Sequence, residues 1–175
     1  MKVLLTGATG FIGSHVAEIL VGKGYDVYCL TRKTSSLQWL TSPHIHTVEG
    51  SLGSEESLYK AVEDTDMVFH IAGLTSARNR EEFFQGNQGG TRNLLNAVLK
   101  KSPNLKHFVH VSSLAAVGPA LSLQQPVDET TAYHPITAYG ESKKAAEEEV
   151  LSERQRLPVT IVRPPAVYGP RDTAV

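Results

Sequence analysis

The feature that most constrains this chain is Thr6-Gly7-Ala8-Thr9-Gly10-Phe11-Ile12-Gly13, which places three glycines at GxxGxxG spacing between an apolar run and a helix-like run. Each glycine has a mechanical reason. A tight turn needs unusual dihedrals, an approaching phosphate needs bare backbone, and the helix must then pack closely on its strand. In the helix-like run, apolar Ile12, Val16, Ile19 and Leu20 recur at i, i+4, i+7 and i+8, with Gly22 or Gly24 positioned to end it. The N-terminus of such a helix presents free N–H groups and about half a positive charge to an anion. A strand-turn-helix of this spacing predicts a dinucleotide site, with Gly7, Thr9, Gly10, Phe11, Ile12 and Gly13 as its cofactor-binding residues.

The rest of the chain keeps the same alternation. Strands are expected at Lys2–Thr6, Asp26–Thr31, His44–Glu49, Asp66–Ile71, Lys106–Ser112 and Val159–Arg163, mostly without the strict polar alternation of a half-exposed strand. Helices are expected at Glu55–Val62, Gly90–Lys101 and Thr137–Glu153, the last with Thr137 as N-cap and Pro158 beyond its end. Leu37, Trp39 and Leu40 are read as a short helix, and Leu114–Ile136, with three prolines, as a long functional loop. This pattern gives an α/β fold: a Rossmann-type doubly wound parallel sheet of order 3-2-1-4-5-6, helices on both faces and right-handed crossovers. Residues 1–170 form one domain in this reading, and 171–175 begin a further region.

Composition narrows the function classes. Seventeen Lys+Arg against eighteen Asp+Glu give a net charge of -1, which argues against a general nucleic-acid binder. One cysteine, Cys29, makes an internal disulfide impossible, and no Cys/His framework suggests a metal. No run approaches the roughly 18 apolar residues of a membrane span, so a cytoplasmic protein is expected. The pairs His44/His46 and His107/His110 read as ordinary satisfied histidines, and Glu147-Glu148-Glu149 as a solvated helix face.

The turn after the second strand, Leu30-Thr31-Arg32-Lys33, carries no carboxylate for ribose hydroxyls but two cations suited to a 2′-phosphate. NADP(H) is therefore preferred, with NAD(H) as the alternative. Tyr139 and Lys143 are four residues apart on the last helix and share one face. A neighbouring ammonium favours the phenolate, and lowering a tyrosine pKa by ~3 units takes roughly 4 kcal/mol. Ser112 and Ser113 stand at the carboxyl end of the fifth strand, where open α/β sheets bind ligands.

Together these motifs resemble the extended short-chain dehydrogenase/reductase superfamily, the NAD(P)-dependent epimerase/dehydratase-like enzymes. The resemblance rests on TGATGFIG at 6–13, HIAG at 70–73, Asn87-x-x-Gly90-Thr91-x-Asn93-Leu94-Leu95, VSSLAAVGP at 111–119, YGESK at 139–143 and RPPAVYGP at 163–170. It implies a catalytic Ser113, with Ser112 second, Tyr139 as acid/base, and Lys143 binding the nicotinamide ribose and lowering the tyrosine pKa. It also implies cofactor contacts from Ser51, Leu52, Ile71, Ala72, Gly73, Asn87, Val111, Arg163 and Pro164, and a homodimer through Gly90–Lys101 and Thr137–Glu153. Where many relatives place an acidic residue near the adenine, this chain has Ser51; the Thr-Asp-Glu run of sugar-nucleotide dehydratases is replaced by Leu114 after the serine. Dehydration is thereby disfavoured. Family members extend well beyond the YGP motif, so a truncated polypeptide is expected, with its substrate region missing. Nucleotide-sugar epimerisation is the favoured activity, NADPH-dependent ketone reduction of the flavonol or steroid type the runner-up, and a non-catalytic dinucleotide sensor the third reading.

Overall fold

Strands buried on both faces pair in parallel, and the computed structural model, which describes residues 1–173, shows this in a six-stranded sheet. The strands are β1 (Lys2–Thr6), β2 (Asp26–Thr31), β3 (Ile45–Glu49), β4 (Met67–His70), β5 (His107–Val111) and β6 (Val159–Val162), ordered β3-β2-β1-β4-β5-β6. All pairings are parallel. Of the expected 171–175 segment, residues 174 and 175 lie outside the described residues.

Central β1 divides the core. Leu4 packs with Leu58, Val62, Val68, Leu94 and Phe108, beneath α2 (Glu55–Val62), α4 (Gly90–Lys101) and α5 (Ala138–Ser152). Val3 and Leu5 face the other way, against Ala17 and Leu20 of α1 (Phe11–Gly22). Each such side chain contributes about 1.5–3 kcal/mol by leaving water. Across the α1 face, exposure rises along the paired row Leu5, Phe69, Val109, Thr160, from fully buried to exposed.

Two segments differ from the sequence reading. Leu37–Leu40 forms a single turn, closed by Leu40 N–H on the Leu37 carbonyl at 2.9 Å, with no helix. The expected Gly90–Lys101 helix is the end of a longer one: α3 (Arg80–Phe84) continues through a π-helical turn, Gln85–Gly89, into α4. A π turn takes one extra residue per turn, and here Asn87 within it is buried. Loop Leu114–Ile136 contains one short 3₁₀ turn, Leu114–Ala116, and a backbone bond from His134 N–H to Val117 O at 2.8 Å.

Candidate active site

The carboxyl ends of β1, β4 and β5 converge where the strand order reverses, the place where open α/β sheets take ligands. In the β1–α1 turn, Gly7 has φ +75°, and a Cβ there would lie 2.6 Å from the Ala72 nitrogen. A Cβ on Gly13 would overlap the Gly7 carbonyl oxygen, so these two glycines serve the fold itself. Gly10 differs. It is exposed, and its added Cβ would come no nearer than 3.4 Å to protein. The space beside it is open at the N-cap of a twelve-residue helix whose first turn holds no acidic residue. That cradle fits an anionic pyrophosphate.

Thr9, Phe11 and Ile12 complete the turn and first helical residues, all half-buried. At the end of β2, Arg32 and Lys33 are exposed and take part in no ion pair among the described residues. Ser51 and Leu52 follow β3, with the Ser51 N–H held on Ser57 Oγ at 3.1 Å. Ile71, Ala72 and Gly73 follow β4. A Cβ on Gly73 would stand 3.1 Å from Asn87 Oδ1 and 3.5 Å from Lys143 Nζ, so three expected cofactor residues meet there.

Asn87 fastens the site. Its Oδ1 accepts from Leu74 N–H at 2.7 Å, and its Nδ2 donates to Leu74 O at 3.0 Å and to Ser142 Oγ at 2.9 Å. The loop after β4 is thereby tied to the helix carrying Tyr139 and Lys143. Thr137 caps that helix by accepting from Gly140 N–H at 3.0 Å. Gly140 lets the helix approach the carbonyl of Ala115, next to Ser113.

Ser113, Tyr139 and Lys143 come together, but not with the electrostatics that their spacing suggests. Burial raises the Tyr139 pKa above the ordinary value, and the nearby Ser113 hydroxyl opposes the rise. The Lys143 ammonium donates to Val111 O at 2.9 Å, and burial pulls its pKa down to about 8 against the raising influence of Glu147. Without a cofactor the Lys143 ammonium is aimed at the β5 carbonyl and makes no contribution to the tyrosine pKa, which burial sets. Of the two serines, Ser113 accepts from Ala115 N–H at 3.1 Å and is the one whose hydroxyl bears on the phenol pKa, whereas Ser112 is buried with its Oγ unbonded.

Behind the site runs a buried chain of neutral groups whose direction follows from its ends. Ala72 N–H donates to Thr6 Oγ1 (3.2 Å), and the Thr6 hydroxyl lies 2.7 Å from His70 Nδ1, to which it donates because the Thr91 end leaves the ring proton on Nε2. Thr91 Oγ1 donates to Asn87 O (2.7 Å) and so accepts from His70 Nε2 (2.9 Å). His70 is therefore the neutral Nε2–H tautomer. Burial and, secondarily, the Lys143 charge pull its pKa down to about 3. Neighbouring His110, at 5.2 Å between ring centroids, is also held well below 6.5 by burial, then by His70 and Lys143. Both its ring nitrogens lack a partner, so it is not the satisfied histidine expected from sequence.

These depressed values set a pH dependence. An imidazole whose folded pKa lies below its unfolded one contributes stability that is present above about pH 6.5 and lost as pH falls toward the folded value. For His70 the window runs from about 6.5 down to about 3. Each such group costs about 1.4 kcal/mol per pH unit within the window. The urea midpoint is expected to fall steadily between pH 6.5 and 5; a flat response would show an imidazole charged in the folded protein.

Two further expected cofactor residues take part in the protein's own hydrogen bonding. The Arg163 guanidinium is spent on Glu147, with Nε at 3.1 Å from both carboxylate oxygens and Nη2 at 2.7 Å from Oε2, and it also donates to the Tyr133 hydroxyl. The Pro164 carbonyl accepts from Leu114 N–H at 3.0 Å. Glu147, read from sequence as part of a solvated face, is fully buried; of its neighbours Glu148 is exposed and Glu149 pairs with Arg92. Among the described residues, no cluster of three His, Cys, Asp or Glu forms a metal site, and no helix is long and apolar enough to cross a membrane.

A doubly wound sheet with a glycine cradle and a Ser-Tyr-Lys constellation at its carboxyl edge defines a dinucleotide-binding, short-chain dehydrogenase-like class of protein. Residues 3–175 match the sequence model of the NAD dependent epimerase/dehydratase family, and the chain belongs to that family. It is 34% identical over 171 residues to ceramide reductase of Caulobacter vibrioides, covering 98% of this chain and 48% of that protein. It is 32% identical to 4-hydroxy-2-methyl-3-oxo-4-farnesyl-3,4-dihydroquinoline-1-oxide ketoreductase of Stigmatella aurantiaca, covering 99% of this chain and 52% of that protein. The chain thus spans about half the length of these curated relatives. Among solved structures, UDP-glucose 4-epimerase of Thermotoga maritima superposes with TM-score 0.86 at 30% identity, covering 98% of this chain and 57% of that one.

Proposed function

We propose that this polypeptide takes part in hydride transfer at a secondary alcohol or ketone carbon, with NADP(H) preferred over NAD(H). The observation that supports this most is the docking of the helix carrying Tyr139 and Lys143 on the end of β5: the Lys143 ammonium bonds Val111 O, two residues before Ser113, and Gly140 packs against the Ala115 carbonyl, on the same sheet edge as the open Gly10 cradle. Bound nicotinamide supplies the hydride. The chain's own residues do the rest: Ser113 orients the substrate oxygen, Tyr139 exchanges its proton, and Lys143 holds ribose hydroxyls near Gly73 while Asn87 supports that side of the cofactor by fixing the loop after β4.

Ketone reduction is the reading favoured here, ahead of the epimerisation suggested by sequence motifs alone. Burial keeps the Tyr139 phenol protonated, the form that donates to a developing alkoxide, and two of the relatives described above are named as reductases. Nucleotide-sugar epimerisation is the second reading, supported by the likeness to UDP-glucose 4-epimerase. The deciding assay follows NADPH oxidation against a panel of aliphatic and steroidal ketones, alongside UDP-sugar interconversion with NAD. Turnover only of the UDP-sugars reverses the order of the two readings, and turnover of neither points to the dinucleotide sensor.

The cofactor preference has its own test. Arg32→Ala is expected to weaken NADPH binding about tenfold while leaving NADH unchanged, the loss of one charge-assisted contact to a 2′-phosphate. Equal losses for the two, measured by cofactor fluorescence, would refute the phosphate role. Pairing of two copies across the outer faces of α4 and α5 is proposed on family grounds, with light scattering as its measurement.

A further inference from the structure

We propose that Glu147 is the positioning residue for Lys143: its carboxylate, clamped by Arg163 and Tyr133, is the fixed counter-charge that keeps the buried ammonium protonated and in place. The proposal deepens the reading of Lys143 given above and rests on it.

Lys143 is 4% exposed, and its ammonium makes one hydrogen bond, to the neutral Val111 carbonyl. A buried ammonium without a counter-charge gives up its proton. The groups facing it come from every surrounding element. From β4 comes His70 and from β5 His110, both neutral through burial. On its own helix stand Tyr139, a protonated phenol, and Glu147. Against Glu147 in turn lie Arg163, a cation just beyond β6, and, from the long loop, Tyr133, whose pKa burial and Glu147 push up to about 12. Among the described residues, only Glu147 offers this lysine a negative charge.

Geometry holds that charge still. Glu147 is fully buried and lies four residues after Lys143, on the same helix face. Its carboxylate accepts from Arg163 at 2.7 and 3.1 Å and from the Tyr133 hydroxyl at 2.6 Å. The Arg163 guanidinium also sits over the Tyr133 ring, 4.9 Å from its centroid. One carboxylate therefore joins α5, the end of β6 and the loop from Leu114 to Ile136, and does so one helical turn from the lysine.

The experiment reads Lys143 directly. In protein carrying ¹³Cε-labelled lysine, the Lys143 resonance, assigned by its loss in Lys143→Met, is titrated in wild type, Glu147→Gln and Glu147→Gln/Arg163→Gln, with far-UV circular dichroism as the check on folding. The single variant leaves Arg163 as an unbalanced cation, and the Lys143 midpoint is expected to fall by about one pH unit. The double variant keeps similar shapes and removes both charges, so it keeps the proposal testable if the single variant does not fold, and the midpoint is expected to fall by less. The alkaline limit of NADPH binding, followed by cofactor fluorescence, moves with it, and Glu147→Asp restores part of the shift. A folded variant in which Lys143 titrates as in wild type overturns the proposal and leaves Glu147 a purely structural clamp. If Lys143→Met binds NADPH normally while the Glu147 variants still move the Lys143 resonance, the cofactor role of Lys143 fails and the counter-charge stands.

Discussion

Gly10→Ala is expected to leave the fold intact and raise the Kd for NADPH at least about 100-fold, a loss near 2.7 kcal/mol. Gly13→Ala is expected to cost the folded state at least about 3 kcal/mol, the upper range for overpacking. The two glycines are three residues apart in one turn, yet their surroundings give opposite outcomes. A methyl on Gly13 would drive into the Gly7 carbonyl, and relief would require α1 to move off β1. On Gly10 the same methyl meets only ordinary contact with that oxygen and otherwise fills open space at the helix N-cap. The backbone of Gly10 is extended, with φ -88°, so alanine adopts it without strain. Urea unfolding and fluorescence titration on both variants separate the effects. Normal cofactor affinity in Gly10→Ala would remove the pyrophosphate from the helix terminus and with it the central assignment of the site.

Much of this arrangement could be read from the residues because local and global demands coincide. Val3, Leu4 and Leu5 form an unbroken apolar run, and the structure buries all three completely because β1 lies at the sheet centre. Thr137 was legible as a cap, and its hydroxyl accepts from Gly140 N–H. What escaped was set by tertiary context. Three consecutive glutamates look solvated, and only the strand end carrying Arg163 makes the first of them a buried charge. The helix start at Arg80 was hidden by Gly86, Gly89 and Gly90, which lower helix propensity, although Asn79 and Glu82 carry a capping signal: Asn79 Oδ1 accepts from Glu82 N–H at 2.9 Å. Helical spacing put Tyr139 and Lys143 on one face but could not tell where the amine would point, and Val111 O takes it. The imidazole chain through His70 joins residues up to 85 apart in sequence, from Thr6 to Thr91, and no periodicity records such a link.

Tyr139→Phe is expected to lower kcat about a thousandfold while cofactor affinity and the urea midpoint stay near wild type. The phenyl ring keeps its contact with Phe83, at 5.9 Å between centroids, so packing is preserved and only the proton is removed. Ser113→Ala should cost less, since a substrate oxygen can still accept from the phenol; the double variant should be little worse than Tyr139→Phe alone, because groups that act as a unit are not additive. The pH profile supplies a second measurement. With the phenol pKa raised by burial and that of Lys143 near 8, both groups carry their protons at neutral pH. Ketone reduction therefore holds a plateau through neutrality and declines as pH rises past about 8, where the ammonium loses its charge. An alcohol-oxidising enzyme that needs the phenolate would instead gain rate over that range. A profile that climbs through pH 8 would assign Tyr139 the role of base and turn the reaction toward oxidation; undiminished turnover in Tyr139→Phe would take the chemistry away from this helix altogether.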